Sequence, residues 1–199
     1  MNSVIGNIKK RRSIKGYTAK PVSKKLIKEI IEAGRYAPSS HNSQPWRFIV
    51  ITNQKKIKEL SEYIKDWFRT RHKLGQLVGF INKKVKSELK SAGKRLVEKD
   101  LFFYGAPCLI LICAKRSRFS KIDCACAAQN MMLAARSLDI GSCWVGFADM
   151  VINRDTVLME ELGVPKNHKI VGHLIFGYPI KFPETAFERK EKADVIKWL

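Results

Sequence analysis

The chain has 199 residues, 45% of them hydrophobic and 28% charged, a globular profile with length for one well-buried core and too little for two full domains. No apolar run approaches the roughly 20 residues that span a bilayer, and the polar N-terminus lacks the apolar core of a signal peptide, so a cytoplasmic location is expected. The net charge is +20, from 38 basic and 18 acidic residues; the lysines are spread along the chain without an arginine-rich arm, zinc-finger spacing or RNA-binding aromatic signature, so the charge reads as solvated surface that attracts anionic ligands and not as a nucleic-acid interface.

Residues 2–10 read as a short helix. Past its end come Arg11, Arg12, Ser13 and Lys15, three cations and a hydroxyl within five residues. Arginine grips a planar anion with two parallel hydrogen bonds and serine adds a donor, which is chemistry suited to a phosphate. Alone the run is a weak signal, because basic runs are usually solvated. Ser23 is a good N-cap, and Leu26, Ile27, Ile30 and Ile31 form one apolar stripe of a helix ending near Gly34.

Residues 37–46 run Ala-Pro-Ser-Ser-His-Asn-Ser-Gln-Pro-Trp. Pro38 and Pro45 fix φ and bias the residues before them to extended geometry. The stretch is expected to be a rigid loop, rich in donors and acceptors and with little core-forming surface. Its plain alternative is an ordinary polar turn; its functional reading is a preformed polar wall against a small ligand. Residues 46–52 are β-rich and apolar, so a buried strand is expected, and the loop is held between a helix end and a strand.

Residues 53–65 suggest a surface helix with Ile57, Leu60 and Ile64 inward. Residues 66–99 fit a helical hairpin or a mobile lid, and the pattern does not choose. Residues 108–114 are a second buried strand. Ser120, with Asp123 three later, is a capping-box-like start. The helix over 125–138 is apolar nearly all round, which points to a subunit interface, and Asp139 to Gly141 stops it. Gly141 and Gly146 then flank a short apolar piece. Glycine lets backbone approach a ligand, and free amides there donate to it; a plain helix-to-strand connection is the alternative. No GxGxxG fingerprint or P-loop occurs. A short helix over 154–162 and a third strand over 169–178 follow. The apolar tail (Val195, Ile196, Trp198, Leu199) is expected to dock on the chain's own body or on a partner.

The five cysteines, Cys108, Cys113, Cys124, Cys126 and Cys143, are odd in number and have apolar neighbours, against a disulfide framework. Cys124 and Cys126, two apart on a helix, take opposite faces and do not share a metal. His41, His72, His168 and His173 show no ligand spacing. The cysteines read as small buried hydrophobes.

Taken together and in order, Arg11-Arg12-Ser13, residues 38–46, Gly105-Ala106-Pro107, residues 141–146, and Gly177-Tyr178-Pro179 with Arg189-Lys190 resemble the nitroreductase family of FMN-dependent oxidoreductases. The match covers nearly the whole chain, except residues 66–99. The resemblance implies one α+β domain over 1–199, a central, mostly antiparallel sheet flanked by helices, and an intertwined homodimer with two FMN sites at the interface. It implies that Arg11, Ser13 and Arg189 bind the FMN phosphate, helped by Arg12, Lys15 and Lys190. Pro38, Ser39, Ser40 and Asn42 of the other subunit would line the ring and ribityl chain, with Gln44 supporting that loop or the ribityl hydroxyls. Trp144, Val145 and Gly146 would cover one ring face, the Val145 N–H near flavin N5. Many members carry glutamate where this chain has Val145, so only the backbone role carries over. No catalytic side chain and no metal are implied, because the flavin supplies the redox chemistry. Hydride would pass from NADH or NADPH through N5 to a small-molecule acceptor (a nitroaromatic, quinone or flavin) in a ping-pong cycle, with no nucleic acid or membrane as partner. The alternatives are a flavoenzyme of this fold with another task (dehalogenation, dehydrogenation or flavin breakdown) and a basic nucleic-acid-binding protein.

Overall fold

The computed structural model describes residues 2–73, 100, 102–186, 189 and 197, with residues 71–73 by backbone alone. Lys190, the tail residues Val195, Ile196, Trp198 and Leu199, and most of the hairpin-or-lid segment at 66–99 lie outside the described residues. In chain order the elements are α1 (Ser3–Lys10), α2 (Lys24–Arg35), β1 (Arg47–Ile51), α3 (Gln54–Lys73), β2 (Cys108–Lys115), α4 (Ser120–Ser137), β3 (Gly141–Trp144), α5 (Asp149–Ile152), α6 (Thr156–Glu161) and β4 (His168–Gly177). The four strands form one sheet in the order β1-β2-β4-β3, antiparallel throughout.

β2 is the centre of the core. Cys108, Ile110, Ile112 and Ala114 face α2 and α4, whereas Leu109, Leu111 and Cys113 face α3, α5 and α6. Helices cover both faces, so the strand reads as a continuous apolar run instead of an alternating one. Each fully buried Ile or Leu contributes about 1.5–3 kcal/mol, which makes this two-sided strand a large source of cohesion. Four cysteines are buried and Cys126 is half-buried, and all five are free. Burial pushes the Cys108, Cys113 and Cys124 thiols up to about 12, so they pack as inert small hydrophobes.

The helix starts follow local chemistry. Ser23 Oγ accepts from Leu26 N–H at 3.3 Å and caps α2. Ile27 and Ile30 are buried and Leu26 and Ile31 half-buried, the stripe expected of this helix. Asn53 Oδ1 accepts from Lys56 N–H and starts α3, which runs past residue 65 to Lys73.

Four expectations change. β1 is an edge strand, and only its last residue, Ile51, is fully buried. The piece after Gly141 is itself a strand, β3, pairing with β4 from Gly141↔Gly177 to Trp144↔Leu174. The start of α4 is bracketed by Ser117 and Ser120, each hydroxyl accepting the other's N–H at 3.1–3.2 Å; Asp123 has another task. Finally, the scarcity of polar residues in α4 has an explanation within one chain. Ala127, Ala128, Met131 and Ala135 are fully buried against α2 and the sheet. Gly34 of α2 lets the helices approach, since a Cβ there would come within 2.7 Å of Met131 Cγ.

Candidate functional site

The N-terminal segment is laid across the ends of β3 and β4. Asn7 Nδ2 donates to Leu133 O at 2.9 Å, which sets α1 beside the later turns of α4. Ser13 then bridges Ser142, and Ile14 N–H donates to Ser142 O at 2.9 Å. Farther on, Thr18 N–H donates to Tyr178 O at 2.9 Å. Two paired glycines make the crossing possible. A Cβ on Gly141 would meet Ile14 Cγ1 at 2.9 Å, and one on Gly177 would meet Tyr17 Cδ1 at 2.8 Å. Gly141 therefore admits the chain's own Ile14, not a ligand. Ile14 and Tyr17 are both buried there, and the Tyr17 hydroxyl donates to Ile14 O at 2.8 Å.

This crossing sets the polar residues of the segment. Ser13 and Lys15 are exposed and Arg11 is half-buried. All three act on one buried group, Cys143 of β3. Burial pushes its thiol up, opposed by Lys15, by a hydrogen bond with Ser13 and by Arg11. Arg11, Ser13 and Lys15 thus lie within electrostatic reach of one thiol in the strand that ends at Trp144. Arg12 is turned away from this corner. Its guanidinium donates to the carbonyls of Lys9 and Arg11 and, at 3.3 Å, of Thr185. It braces backbone, and its bond to Thr185 O ties the segment at 182–186 to the end of α1. Arg189 itself is exposed and engaged.

Trp144 is half-buried, Val145 is buried, and Gly146 is exposed with nothing within 4 Å of an added Cβ. The Val145 N–H donates to His173 O at 2.8 Å. That amide is committed to the sheet, which corrects the expectation that it faces a ligand. The following amide, of Gly146, opens a 3-10 turn, where first-turn N–H groups lack an intrahelical acceptor.

The polar loop is built by its own hydrogen bonds. Ser39 Oγ accepts from Gln44 N–H at 3.0 Å, and Gln44 Nε2 donates to Asn42 Oδ1 at 3.0 Å. His41, Asn42 and Gln44 hold left-handed backbone, with φ of 52°, 51° and 41°, a conformation that costs energy in non-glycine residues unless the surroundings over-determine it. Here Asp123 helps to do so. Its carboxylate, nearly buried at 7% exposure, accepts from Ser40 N–H at 3.2 Å. Gln44 supports the loop, Ser39 and Ser40 are half-buried, and Pro38 and Asn42 are exposed. The ends of the stretch are core after all, with Ala37 and Trp46 buried. Asp123→Ala removes a charged acceptor from a backbone donor and is expected to cost about 1–3 kcal/mol. Faster amide exchange should then be confined to the residues around Ser40; unchanged exchange there would show that the carboxylate does not anchor the loop.

The two polar walls lie at opposite ends of α4. Asp123 stands in its first turn, whereas Ser142 follows its C-terminus. Fourteen residues of helix between Asp123 and Ser137 span about 21 Å at 1.5 Å per residue. Among the described residues no group of three His, Cys, Asp or Glu side chains forms a metal cluster, and no helix is long and apolar enough to cross a membrane.

A four-stranded antiparallel sheet between helix layers, with a cationic corner at one end and a polar loop at the other, defines an α+β class of protein. Comparison with known proteins gives the family. The nitroreductase family profile matches residues 8–178, and the chain belongs to that family. It is similar to a nitrobenzene nitroreductase of Ectopseudomonas oleovorans, 28% identical across 86% of this chain and 84% of that protein. It is also similar to an NADPH-flavin oxidoreductase of Vibrio harveyi, 26% identical across 93% of this chain and 69% of that protein. A crystal structure of a nitroreductase with bound FMN from Bacteroides fragilis superposes over the full length of both chains, with a TM-score of 0.73 and 32% identity.

Proposed function

We propose that this protein is an FMN-dependent NAD(P)H oxidoreductase whose cofactor site is shared between two copies of the chain. The convergence of Arg11, Ser13 and Lys15 around Cys143, beside an exposed Gly146 amide, carries the reading. This donor set fits FMN: two cations and a hydroxyl suit a doubly charged phosphate, and an open glycine backbone suits close approach of a flat ring. Arg11, Ser13 and Lys15 hold the phosphate, and Arg189 joins them. Trp144, Val145 and Gly146 form one wall of the ring pocket, and the Gly146 amide, not that of Val145, is the backbone donor. Bound FMN supplies hydride acceptance from NADH or NADPH and electron delivery to an acceptor such as a nitroaromatic, a quinone or a free flavin. The chain itself binds, orients and polarises.

Sharing between subunits follows from distance. Pro38, Ser39, Ser40 and Asn42 stand about 21 Å of helix away from the cationic corner of their own chain, so one chain offers the two walls to different cofactors. A second copy brings its loop to the first copy's corner. Apolar surface for that association is present: Val4, Ile5 and Ile8 of α1 are 63%, 48% and 48% exposed, and Ile122 beside the loop anchor is 62% exposed. The three residues of α1 form one exposed apolar face, the kind of surface that marks an interaction site, and Ile122 adds a separate apolar residue at the loop end of α4.

The purified protein should be yellow, release FMN on denaturation, and bleach when NADH or NADPH is added without oxygen. Colourless protein that cannot be reconstituted with FMN would overturn the reading. Complementation tests the sharing. Arg11→Ala should weaken FMN retention by about ten- to a hundredfold, the value of a charged hydrogen bond near 1.5–3 kcal/mol, and Asn42→Ala should lower it without unfolding the protein. A mixed dimer of the two variants places both changes in one site and leaves the other intact. It should recover FMN in one of its two sites, whereas no recovery would mean that each chain builds its own site.

A further inference from the structure

The far end of the β2–β4 ladder carries a concentration of positive charge that the flavin site does not use. Lys115 closes β2 directly opposite His168, which opens β4, and Lys169 stands opposite Ala114. Arg116 follows β2, and Lys166 precedes β4. Their side chains line one cleft of about 720 Å³, in which Glu160 is the sole carboxylate. Among the described residues no salt bridge neutralises Lys115, Arg116, Lys166 or Lys169. Four cations against one carboxylate leave the concavity with a positive excess, and its walls focus that field on any anion that enters.

Two of the basic groups are positioned. Lys169 Nζ donates to Asn153 O at 3.3 Å, and His168 Nδ1 lies 3.0 Å from Lys166 O. The cleft is not a purely ionic surface either: Met159, Val164 and Pro165 give it an apolar wall, and Thr156 adds a hydroxyl. The cleft is open to solvent, with Lys115, Arg116, Lys166 and Lys169 themselves exposed on its rim. β4 has ten residues, which at about 3.4 Å each puts the cleft some 30 Å from the Gly177 end where the cationic corner lies. The same phosphate cannot serve both.

We propose that this cleft is a second anion site that binds a nucleoside-polyphosphate type of ligand, its phosphates among Lys115, Arg116, Lys166 and Lys169 and its ring against Met159, Val164 and Pro165. None of its residues is used in the flavin reading, so its loss should leave that chemistry intact.

Calorimetric titration of the holoprotein with ATP at about 0.15 M salt, where long-range surface attraction is screened, tests it. The expected result is one saturable site per chain, with adenosine and inorganic tripolyphosphate each binding more weakly than ATP. The double variant Lys166→Glu with Lys169→Glu should weaken ATP binding by at least about tenfold, through lost charge-assisted contacts. The milder pair Lys166→Gln with Lys169→Gln should do so to a lesser degree. Both should keep the flavin content and the NADH oxidation rate of the parent. Absence of saturable ATP binding, equal affinity in parent and variants, or tripolyphosphate as tight as ATP would each overturn the proposal. So would binding that needs a long single-stranded RNA and ignores ATP, which would assign the cleft to a nucleic acid.

Discussion

Stability should fall steeply below pH 6.5, with the imidazole of His173 as a main cause. His173 is fully buried in β4, opposite Leu111, and among the described residues neither ring nitrogen has a hydrogen-bond partner. Burial lowers its pKa from 6.5 to about 3. In the unfolded chain the ring takes up a proton near 6.5, whereas in the folded protein it stays neutral until about 3. Between these values the unfolded state binds the extra proton. The group's contribution is therefore intact above pH 6.5 and shrinks by about 1.4 kcal/mol for each pH unit below it. Urea unfolding at pH 7.5, 5.5 and 4.5, in the parent and in His173→Leu, isolates this effect from the carboxylates that titrate in the same range. The parent should lose about 2.7 kcal/mol more than the variant between pH 7.5 and 4.5. Parallel pH profiles would show that the ring does not carry the sensitivity. At pH 7.5 the leucine should be neutral or stabilising, since it replaces two unpaired polar atoms in an apolar layer.

Gly177→Ala is expected to damage stability and cofactor retention together. The added Cβ would lie 2.5 Å from Pro107 Cδ and 2.8 Å from Tyr17 Cδ1. Both neighbours are rings, and Pro107 and Tyr17 are buried, so neither yields by a simple rotamer change. Overpacking of this kind costs about 1–3 kcal/mol. Because Tyr17 and Ile14 hold the segment that carries Arg11, Ser13 and Lys15, displacement of Tyr17 should loosen all three. The measurements are the thermal midpoint and the FMN retained after gel filtration. A lower midpoint with full FMN retention would separate the glycine pair from cofactor binding. Gly146→Ala is the control for the thermal midpoint alone, for a Cβ there has nothing within 4 Å to meet inside the chain.

Much of the core is legible in the sequence. The run at 108–114 announces β2 because helices cover both faces and no position has to be polar. α2 is legible through its cap and its stripe. β3 is harder: four residues between glycines carry too little pattern to show a period, and only pairing with β4 makes them a strand. The edge position of β1 is equally hidden, since β-rich composition does not reveal how many neighbours a strand has. In the site, the residues of the cationic corner are visible as a run, but the distinction between Arg11 and Arg12 depends on which carbonyls the chain presents to each guanidinium. Asp123 is legible only as a capping candidate, because its partner Ser40 is 83 positions away. His173 gives no signal, as an isolated histidine in an apolar strand does not announce whether its nitrogens are paired.

The crossing of the N-terminal segment over Gly141 and Gly177 also bears on the order of folding. Its contacts join residues 13–18 to residues 142 and 178–180, among the longest separations in the chain. Loop-closure entropy makes such contacts late ones, formed after the local helices and the β2–β4 ladder exist to receive them. In refolding from denaturant, recovery of far-UV ellipticity should therefore precede the quenching of free flavin fluorescence at every FMN concentration. A chain truncated before residue 18 should still assemble much of its sheet while losing the capacity to hold the cofactor.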